Sequence, residues 1–183
     1  MAELSEMTKV NLANAFSGES QAHMRYQIYS NVADQEGYEE VSRLFDAIAY
    51  AETIHASNHL KVLPRNELPT SASVPLGLGN TIENLQFAYN GEQFEVEEMY
   101  PVYKSVAEVQ DEGRALRSFD WALSAEVKHK ELYDRAIKAL RTERSFDLPS
   151  VQVCKACGYT AEGEKPEECP ICGAKSQAFI EFA

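Results

Sequence analysis

Basic residues are scarce in this chain of 183 residues, and it has no long apolar run. Lys and Arg number 17 against 29 Asp and Glu, so the formal net charge is -12. This charge argues against nucleic acid and against anionic membrane surfaces as partners, because both attract positive protein surfaces. No stretch approaches the roughly 18 apolar residues of a membrane-spanning helix. The first residues also lack the basic and apolar regions of a secretory signal. We therefore expect a cytoplasmic protein.

Cysteine is missing from residues 1–153 and then occurs four times. The four residues form two Cys-x-x-Cys pairs, which is the spacing of a site where four thiolates bind one metal ion. Disulfides are rare in the cytosol, so a metal site is the better interpretation. Zinc and iron both accept this geometry, and the spacing alone slightly favours structural zinc. The predicted ligands are Cys154, Cys157, Cys169 and Cys172.

The first 142 residues have the three- and four-residue apolar spacing of α-helices. Gly37 and Gly113 interrupt this pattern and are interpreted as helix C-caps. Residues 64–80 have no helical pattern and contain Pro64, Pro69 and Pro75, which predicts a long connection. Four helices with one long crossover are typical of ferritin-like bundles. The helices are expected at about residues 5–36, 38–63, 81–112 and 114–141.

The two halves of this helical region resemble each other. Residues 15–19 match residues 88–92, which lie 73 positions later. The Glu52-x-x-His55 motif matches Glu126-x-x-His129, 74 positions later. A duplicated helix pair should pack with approximate two-fold symmetry, so we expect equivalent residues to face each other across the core.

Each predicted helix carries a glutamate within its apolar stripe. Buried carboxylates without a partner cost several kcal/mol, and no Lys or Arg lies on these stripes, so a cation is the natural partner. A glutamate from each of two helices plus Glu-x-x-His from each of the other two is the di-iron carboxylate pattern. A single Glu-x-x-His is expected by chance, whereas a duplicated one at matching offsets is not. The predicted ligands are Glu19, Glu52, His55, Glu92, Glu95, Glu126 and His129.

Glu95 breaks the symmetry, because its counterpart in the first half is Ala22. An additional carboxylate could allow one iron ion to change ligands with oxidation state. Pro101 lacks a backbone N–H and should kink or bulge the third helix near this position. His23 and His59 each lie one turn from a proposed ligand, and we interpret both as residues behind the ligands or at the surface.

Together these motifs resemble the rubrerythrin family over nearly the whole chain. The similarity rests on Gly18-Glu-Ser-Gln21, Glu52-x-x-His55, Gly91-Glu92-x-x-Glu95, Glu126-x-x-His129 and the two cysteine motifs. It implies a ferritin-like di-iron bundle at residues 1–145 and a rubredoxin-like domain at residues 146–183. It also reverses the preference for zinc and implies an iron tetrathiolate site, although zinc can occupy it as prepared.

The resemblance implies an oxidoreductase of oxidative stress defence that reduces hydrogen peroxide to water at a non-haem di-iron centre. Electrons would come from rubredoxin or from an NAD(P)H-dependent reductase, through the rubredoxin-like iron. In the family a homodimer brings the four-cysteine iron of one chain near the di-iron site of the other. On oxidation the di-iron ligands would include Glu95, and on reduction His55 would replace it. Tyr26 and Tyr100 match tyrosines close to the centre.

Two other functions stay open at this point. A ferroxidase that handles iron would share the bundle and most ligands, but iron storage needs a shell of many subunits. A helical interaction module with a structural zinc ribbon would be colourless, and it would leave the buried glutamates without a role.

Overall fold

A computed structural model of the chain describes residues 4–65, 68–71, 77–142 and 144–183. It has a helical bundle followed by a small sheet, as the sequence predicts. Residues 66–67 and 72–76 of the predicted connection, including Pro75, lie outside the described residues. The helices are α1 (Glu6–Gln35), α2 (Glu39–Val62), α3 (Thr81–Phe94), α4 (Tyr100–Val109) and α5 (Gly113–Arg141), with a π-helical turn at Glu95–Met99 between α3 and α4.

Helices α1 and α2 pack along each other, and α3 and α4 pack along α5. The ferritin-like four-helix bundle is therefore confirmed, because α3, the π-turn and α4 form one continuous helix. Aromatic rings fill part of the core, with ring centroids 5.4 to 6.2 Å apart. Such contacts add to the hydrophobic stabilisation from burial. None of the described helices combines the length and apolar character that a membrane span requires. The rings are those of Tyr26, Tyr29, Phe45 and Tyr133.

The π-turn confirms the bulge that Pro101 predicts. The backbone N–H of Tyr100 donates to the carbonyl of Glu95, five residues earlier. Pro101 has no N–H to donate, so it cannot complete an α-helical hydrogen bond at this point. A π-turn inserts one extra residue into a helix. This explains why Glu19 and Glu92 are 73 positions apart, whereas Tyr26 and Tyr100 are 74 apart.

The turn between α4 and α5 differs from the prediction. Gly37 follows α1 with a φ of +82°, which is the left-handed conformation expected of a C-cap glycine. After α4 the left-handed residue is Asp111, with a φ of 55°, and Gly113 is the first residue of α5. The prediction of Gly113 as a C-cap is therefore wrong. Asp tolerates the left-handed region better than most residues, and Asp111 stands 74 positions after Gly37.

The C-terminal region forms a three-stranded antiparallel sheet. Its strands are β1 (Val151–Cys154), β2 (Thr160–Glu162) and β3 (Phe179–Phe182), in the order β2-β1-β3. Val153 pairs with Thr160 on one side and with Ile180 on the other. The small core consists of cysteines and Phe179, with Trp121 of α5 packed against it. Such a thin core depends on a bound metal for stability.

The segment before β1 is anchored to the bundle, although its polar sequence after Arg141, ending in Leu148-Pro149-Ser150, is typical of a linker. Phe146 and Leu148 are buried in the bundle core. Arg43 of α2 donates to the carbonyl of Leu148 at 2.6 Å, and the Arg135 guanidinium lies 5.9 Å from the centre of the Phe146 ring. These contacts fix the direction in which the chain enters the sheet. The domain boundary between residues 145 and 146 stays a prediction.

Candidate metal centres

Four carboxylates and two imidazoles meet inside the bundle. Their side chains come from α1, α2, α3 and α5, and each residue is at most 1% exposed. They form two overlapping groups, and within each group one ligand atom per residue lies within 4.8 Å of all the others. Glu52 and Glu126 belong to both groups. One group is Glu19, Glu52, His55 and Glu126, and the other is Glu52, Glu92, Glu126 and His129.

Both histidines direct Nδ1 into this cluster. His55 Nδ1 lies 2.9 Å from Glu52 Oε2 and 2.6 Å from Glu126 Oε1. His129 Nδ1 lies 2.6 Å from Glu126 Oε2 and 3.6 Å from Glu52 Oε1. The two rings stack at 5.8 Å between centroids. In Glu-x-x-His the side chains share one helical face, so both can reach the same metal.

The donor set fits a pair of divalent cations. Four buried carboxylate oxygens have no geometrically satisfactory hydrogen-bond partner among the described residues: Glu19 Oε2, Glu52 Oε1, Glu92 Oε2 and Glu126 Oε1. Burial, followed by the neighbouring carboxylates, raises the pKa of Glu52 and of Glu92 well above the usual range. Four carboxylates would balance two divalent ions, and the two shared glutamates are placed to bridge them. The orphaned oxygens are therefore explained by a di-metal site.

The histidines change the electrostatics of Glu126. Burial by itself raises the pKa of this carboxyl, but the adjacent His55 and His129 lower it below the usual range. For His55 the effect of burial is opposite and lowers the pKa. Glu126 more than compensates, so the net shift of the His55 pKa is upward. The Glu126 carboxylate is therefore held in its charged form between the two imidazoles, which is the form that binds metal.

Tyr26 and Tyr100 hydrogen-bond to the outer carboxylates. Tyr26 of α1 donates to Glu92 Oε1 at 2.7 Å, and Tyr100 of α4 donates to Glu19 Oε1. Burial, followed by the nearby carboxylate, raises the pKa of both phenols. Both hydroxyls therefore keep their protons and act as donors. The sequence places these tyrosines near the centre only through the family resemblance.

A buried hydrogen-bonded group lies behind Tyr100. His59 Nε2 is 3.0 Å from the Tyr100 hydroxyl, and His59 Nδ1 is 2.8 Å from Ser118 Oγ. Burial lowers the pKa of His59. His59 thus lies behind the ligands, one of the two positions that its sequence suggested, whereas no pattern indicated Ser118. His23 instead lies between α1 and α2, with Nδ1 2.8 Å from the carbonyl of Ala49.

Glu95 is outside both groups of potential ligands. It is the first residue of the π-turn and lies in the wall of a cavity of about 370 Å³. Gly18, Arg25 and Gly91 line the same cavity. Burial, followed by the charges of Glu19 and Glu126, raises the pKa of Glu95, and Arg25 opposes this rise. The structure therefore places His55 among the ligand groups and Glu95 beside them.

The four cysteines converge as the sequence predicts. All four sulfur atoms lie within 4.8 Å of one another. Cys154 Sγ is 3.7 Å from Cys172 Sγ, and Cys157 Sγ is 3.5 Å from Cys169 Sγ. A disulfide would require about 2.05 Å, whereas sulfurs around a tetrahedral metal at about 2.3 Å stand roughly 3.8 Å apart. The spacing therefore fits a tetrathiolate metal site.

Hydrogen bonds prepare the first cysteine for metal. The Cys157 thiol and the backbone N–H groups of Ala156 and Cys157 lower the pKa of Cys154 to about 5 against the effect of burial. Burial raises the pKa of Cys172 to about 11. The turn thus stabilises a thiolate at Cys154, and binding of a metal would deprotonate the others.

The small domain lies directly on the two histidines. A Cβ built on Gly158 would overlap the His55 ring at Nε2, and Gly158 has a φ of +83°. Thr160 Oγ1 lies 2.8 Å from His129 Nε2. Asn58 donates to the carbonyl of Ala156 at 2.8 Å. The two metal sites are therefore joined, within one chain, by contacts of side chains with side chains and with the backbone.

The fold and the two donor sets define a ferritin-like di-iron carboxylate protein with a rubredoxin-like domain. Residues 10–137 match the family description "Rubrerythrin", and residues 152–180 match "Rubrerythrin, rubredoxin-like domain". The chain belongs to the rubrerythrin family. The predicted cofactor sites, a di-iron centre and a four-cysteine iron site, are confirmed by this family and by the donor sets.

Individual relatives agree with this result. Rubrerythrin-2 of Clostridium acetobutylicum is 43% identical over 178 residues, which cover 96% of this chain and 97% of the relative. Nigerythrin of Nitratidesulfovibrio vulgaris is 34% identical over 182 residues, covering 96% of this chain and 86% of that protein. A solved structure of nigerythrin in its mixed-valence state has a TM-score of 0.84 at 32% identity and covers 99% of this chain and 88% of that one. The chain is thus related to di-iron proteins of oxidative stress.

Proposed function

We propose that this protein is a peroxidase that reduces hydrogen peroxide to water in the cytoplasm. One peroxide takes up two electrons and two protons, its O–O bond breaks, and two water molecules form. The four cysteines would hold an iron ion that serves as a one-electron carrier. Glu19, Glu52, Glu92, Glu126 and His129 hold the di-iron pair, with Glu95 and His55 as alternating ligands.

The observation that carries this proposal is the contact between the two metal sites. Gly158, which follows Cys157, lies against His55, and Thr160 contacts His129. An iron storage site has no need of a one-electron carrier packed on its ligands. A peroxidase does need one, because two electrons must reach the di-iron site for each peroxide that is reduced. The contact therefore favours the peroxidase over the ferroxidase.

The surrounding residues support the chemistry of the site. A pair of ferrous ions held by these residues would supply the two electrons that cleavage of the O–O bond requires. Tyr26 and Tyr100 hold the outer carboxylates in place through their hydroxyl groups. Gly18 and Gly91 have no side chains, and this leaves open the cavity that Glu95 lines. A molecule as small as hydrogen peroxide fits such a cavity and can approach from this side.

Glu95 and His55 are suited to exchange. Oxidation adds positive charge to the centre, which favours an anionic ligand over a neutral one. As a metal ligand Glu95 would bring a negative charge from the cavity wall, whereas His55, which already lies among the ligand groups, would bind as a neutral imidazole. The π-turn begins at Glu95 and shifts the register of the residues that follow it. Exchange of these two ligands is therefore an electrostatic response to oxidation.

The electron donor is a rubredoxin or an NAD(P)H-dependent reductase that delivers electrons to the four-cysteine iron. We also propose a homodimer. The family resemblance predicts contact between the metal sites of different chains, whereas here the cysteine turn lies on the histidines of its own chain. A homodimer is compatible with either arrangement, because the contact surfaces are the same.

Rapid mixing of the fully reduced protein with hydrogen peroxide, and separately with O2, tests the proposal. The visible band of the ferric four-cysteine iron reports the arrival of oxidising equivalents. We expect the band to return quickly with peroxide and slowly with O2. Faster return with O2 would favour a ferroxidase or oxidase and overturn the peroxidase assignment. A protein with zinc at the cysteines would show no band and has to be loaded with iron before the measurement.

A further inference from the structure

Thr160 connects the four-cysteine domain to a histidine of the di-iron cluster. It is the first residue of β2, three positions after Cys157, and it is fully buried. Its Oγ1 lies 2.8 Å from His129 Nε2 and donates to the carbonyl of Gly158 at 3.2 Å. A continuous chain of hydrogen bonds thus runs from His129 to the turn that carries Cys157.

The two nitrogens of His129 face different surroundings. Nδ1 points at Glu126 and Glu52 inside the cluster, whereas Nε2 points at Thr160. A histidine that binds metal through Nδ1 carries its proton on Nε2, and a partner for this N–H fixes the tautomer and the ring orientation. Since the Thr160 hydroxyl donates to Gly158, its lone pairs are free to accept from Nε2. The Thr160 hydroxyl can therefore accept a hydrogen bond from the Nε2–H that His129 carries when its Nδ1 binds metal.

The other histidine has a different environment. His55 Nε2 faces Gly158 and meets the backbone of Cys157, but it makes no well-aligned hydrogen bond among the described residues. No side-chain hydroxyl holds its ring. This difference is consistent with a ring that must be free to join or leave the metal, whereas His129 stays in place.

We propose that Thr160 is a positioning residue of the di-iron site: its hydroxyl holds His129 as a permanent ligand and ties that ligand to the cysteine turn. The inference rests on the proposed di-iron ligands, and it goes beyond them by giving a residue of the rubredoxin-like domain a role at the other metal centre. Removing the hydroxyl leaves the His129 N–H buried without a partner and lets the ring rotate. We expect weaker retention of the metal on the His129 side.

Thr160→Val tests this role, because valine has nearly the same shape and lacks the hydroxyl. The first measurement is the rate at which a ferrous chelator removes iron from the reduced full-length protein. Loss of such a supporting hydrogen bond typically costs 10- to 100-fold in metal affinity, so we expect iron to leave about tenfold faster. Thr160→Ser keeps the hydroxyl and should restore the original rate. A rate in Thr160→Val equal to that of the unchanged protein would overturn the proposal.

A matched control separates positioning from docking of the domains. Glu162 lies on the same strand, 2.7 Å from Arg135 and 3.2 Å from Lys128 of α5. Glu162→Gln weakens the contact between domains without touching His129, so its rate of iron loss should be unchanged. A rate raised as much as in Thr160→Val would show that docking alone controls retention, and the proposal would fail. Thr160→Ala gives the same comparison if Thr160→Val loses the visible band of the four-cysteine iron.

A second readout is spectroscopic and independent of turnover. In protein loaded with zinc at both sites, the His129 Nε2–H should give a slowly exchanging, downfield proton signal in NMR spectra. The signal should be lost in Thr160→Val and retained in Thr160→Ser. If the unchanged protein shows no peroxide reduction, the proposed function fails, yet both readouts still decide the role of Thr160.

Discussion

The first helix pair, α1 and α2, and the second, α3 to α5, place the same residue types around the di-iron site. Glu19 corresponds to Glu92, and both are buried. The Glu-x-x-His motifs of α2 and α5 stack their imidazole rings across the centre. Tyr26 of the first pair donates to Glu92 of the second, and Tyr100 of the second donates to Glu19 of the first. Each half thus completes the ligand environment of the other.

The halves differ behind the tyrosines. Tyr100 is backed by His59 and Ser118, which form a hydrogen-bonded series. In the repeat, Tyr133 corresponds to His59 and Leu44 corresponds to Ser118, each 74 positions away. Tyr133 and Leu44 both pack in the aromatic and aliphatic core beside Tyr26. The Tyr133 hydroxyl has no hydrogen-bond partner among the described residues. One tyrosine is therefore coupled to polar groups, and the other is surrounded by apolar ones.

The halves also differ at the cavity. The second helix pair has the π-turn and Glu95, where the first has a regular helix and Ala22. The shared residues are those that balance the charge of the metal. The residues that differ surround the shared cluster, where under the proposed function they would control substrate access, ligand exchange and proton supply. Duplication thus accounts for the ligand cluster, and the proposed function assigns the specialised chemistry to the departures from it.

Metal removal should produce the largest effect on stability, because it leaves the buried carboxylates that both halves contribute without their cations. In the metal-free protein the pKa values of Glu52, Glu92 and Glu95 are raised above the ordinary value of 4.5. The folded protein then binds more protons than the unfolded one above pH 4.5, so its stability falls as pH rises. The lowered pKa of Glu126 acts oppositely, but only below 4.5. Metal should restore about 3 kcal/mol or more at neutral pH, measured by denaturant unfolding.

A paired substitution controls this prediction. Glu92→Gln removes one buried ionisable carboxyl with a raised pKa, so it should stabilise the metal-free protein at pH 7.5 and reduce the gain from metal. Glu131 is exposed on α5, and Glu131→Gln should change neither value. Stability of the metal-free protein that increased steadily from pH 5 to pH 7.5 would contradict the assignment of raised carboxyl pKa values.

Glu95→Ala should give the next largest effect, because it makes the second half resemble the first. Glu95 is outside the ligand groups, so the variant should still bind close to three iron ions per chain. Two of these belong to the di-iron site and one to the four cysteines, as in the unchanged protein. Peroxide turnover should fall by about 20-fold, roughly 1.8 kcal/mol in the barrier. The exposed Glu98 of the same π-turn provides the control, since Glu98→Ala should leave turnover unchanged. Undiminished turnover in Glu95→Ala would eliminate ligand exchange.

The repeat explains how much of this site could be predicted from sequence. Charged residues on apolar stripes identify the cluster without any structure, because a buried carboxylate requires a partner. The change of offset from 73 to 74 between the glutamate and tyrosine pairs also contains the signal of the π-turn, in addition to Pro101. The contacts of Ser118 and Thr160 could not be predicted. Each depends on the packing of elements that are distant in sequence, and neither residue belongs to a motif.

The anchored segment before β1 had no clear sequence signal either. Phe146 and Leu148 stand among polar residues and a proline, so their composition indicates a linker. Their burial depends on Arg43 and Arg135, which come from α2 and α5. Local pattern can identify an element, but it cannot identify the surface that a short irregular segment will cover.

Substitution of the two tyrosines sharpens the comparison between the polar and apolar surroundings. Tyr100→Phe removes a donor that is coupled to His59, whereas Tyr26→Phe removes an isolated one. We expect turnover to fall by about fivefold in Tyr100→Phe, which raises the barrier by roughly 1 kcal/mol. In Tyr26→Phe the barrier should rise by about half of that amount. Ser118→Ala should reproduce part of the Tyr100→Phe effect through His59. Equal effects of the two tyrosine substitutions on steady-state peroxide reduction would mean that the polar residues behind Tyr100 have no catalytic role.

Tyr133→Phe should have the smallest effect, and it should stabilise the protein. The Tyr133 hydroxyl is buried beside Tyr26 with no hydrogen-bond partner, and Leu44 occupies the position that corresponds to Ser118. Removing an unpaired buried hydroxyl relieves a desolvation cost, so we expect a gain of up to about 1 kcal/mol in the free energy of unfolding. Peroxide turnover should stay unchanged, because no hydrogen bond to a ligand is lost. A clear loss of turnover would show that Tyr133 acts as His59 does, and the two halves would then be functionally equivalent behind the tyrosines.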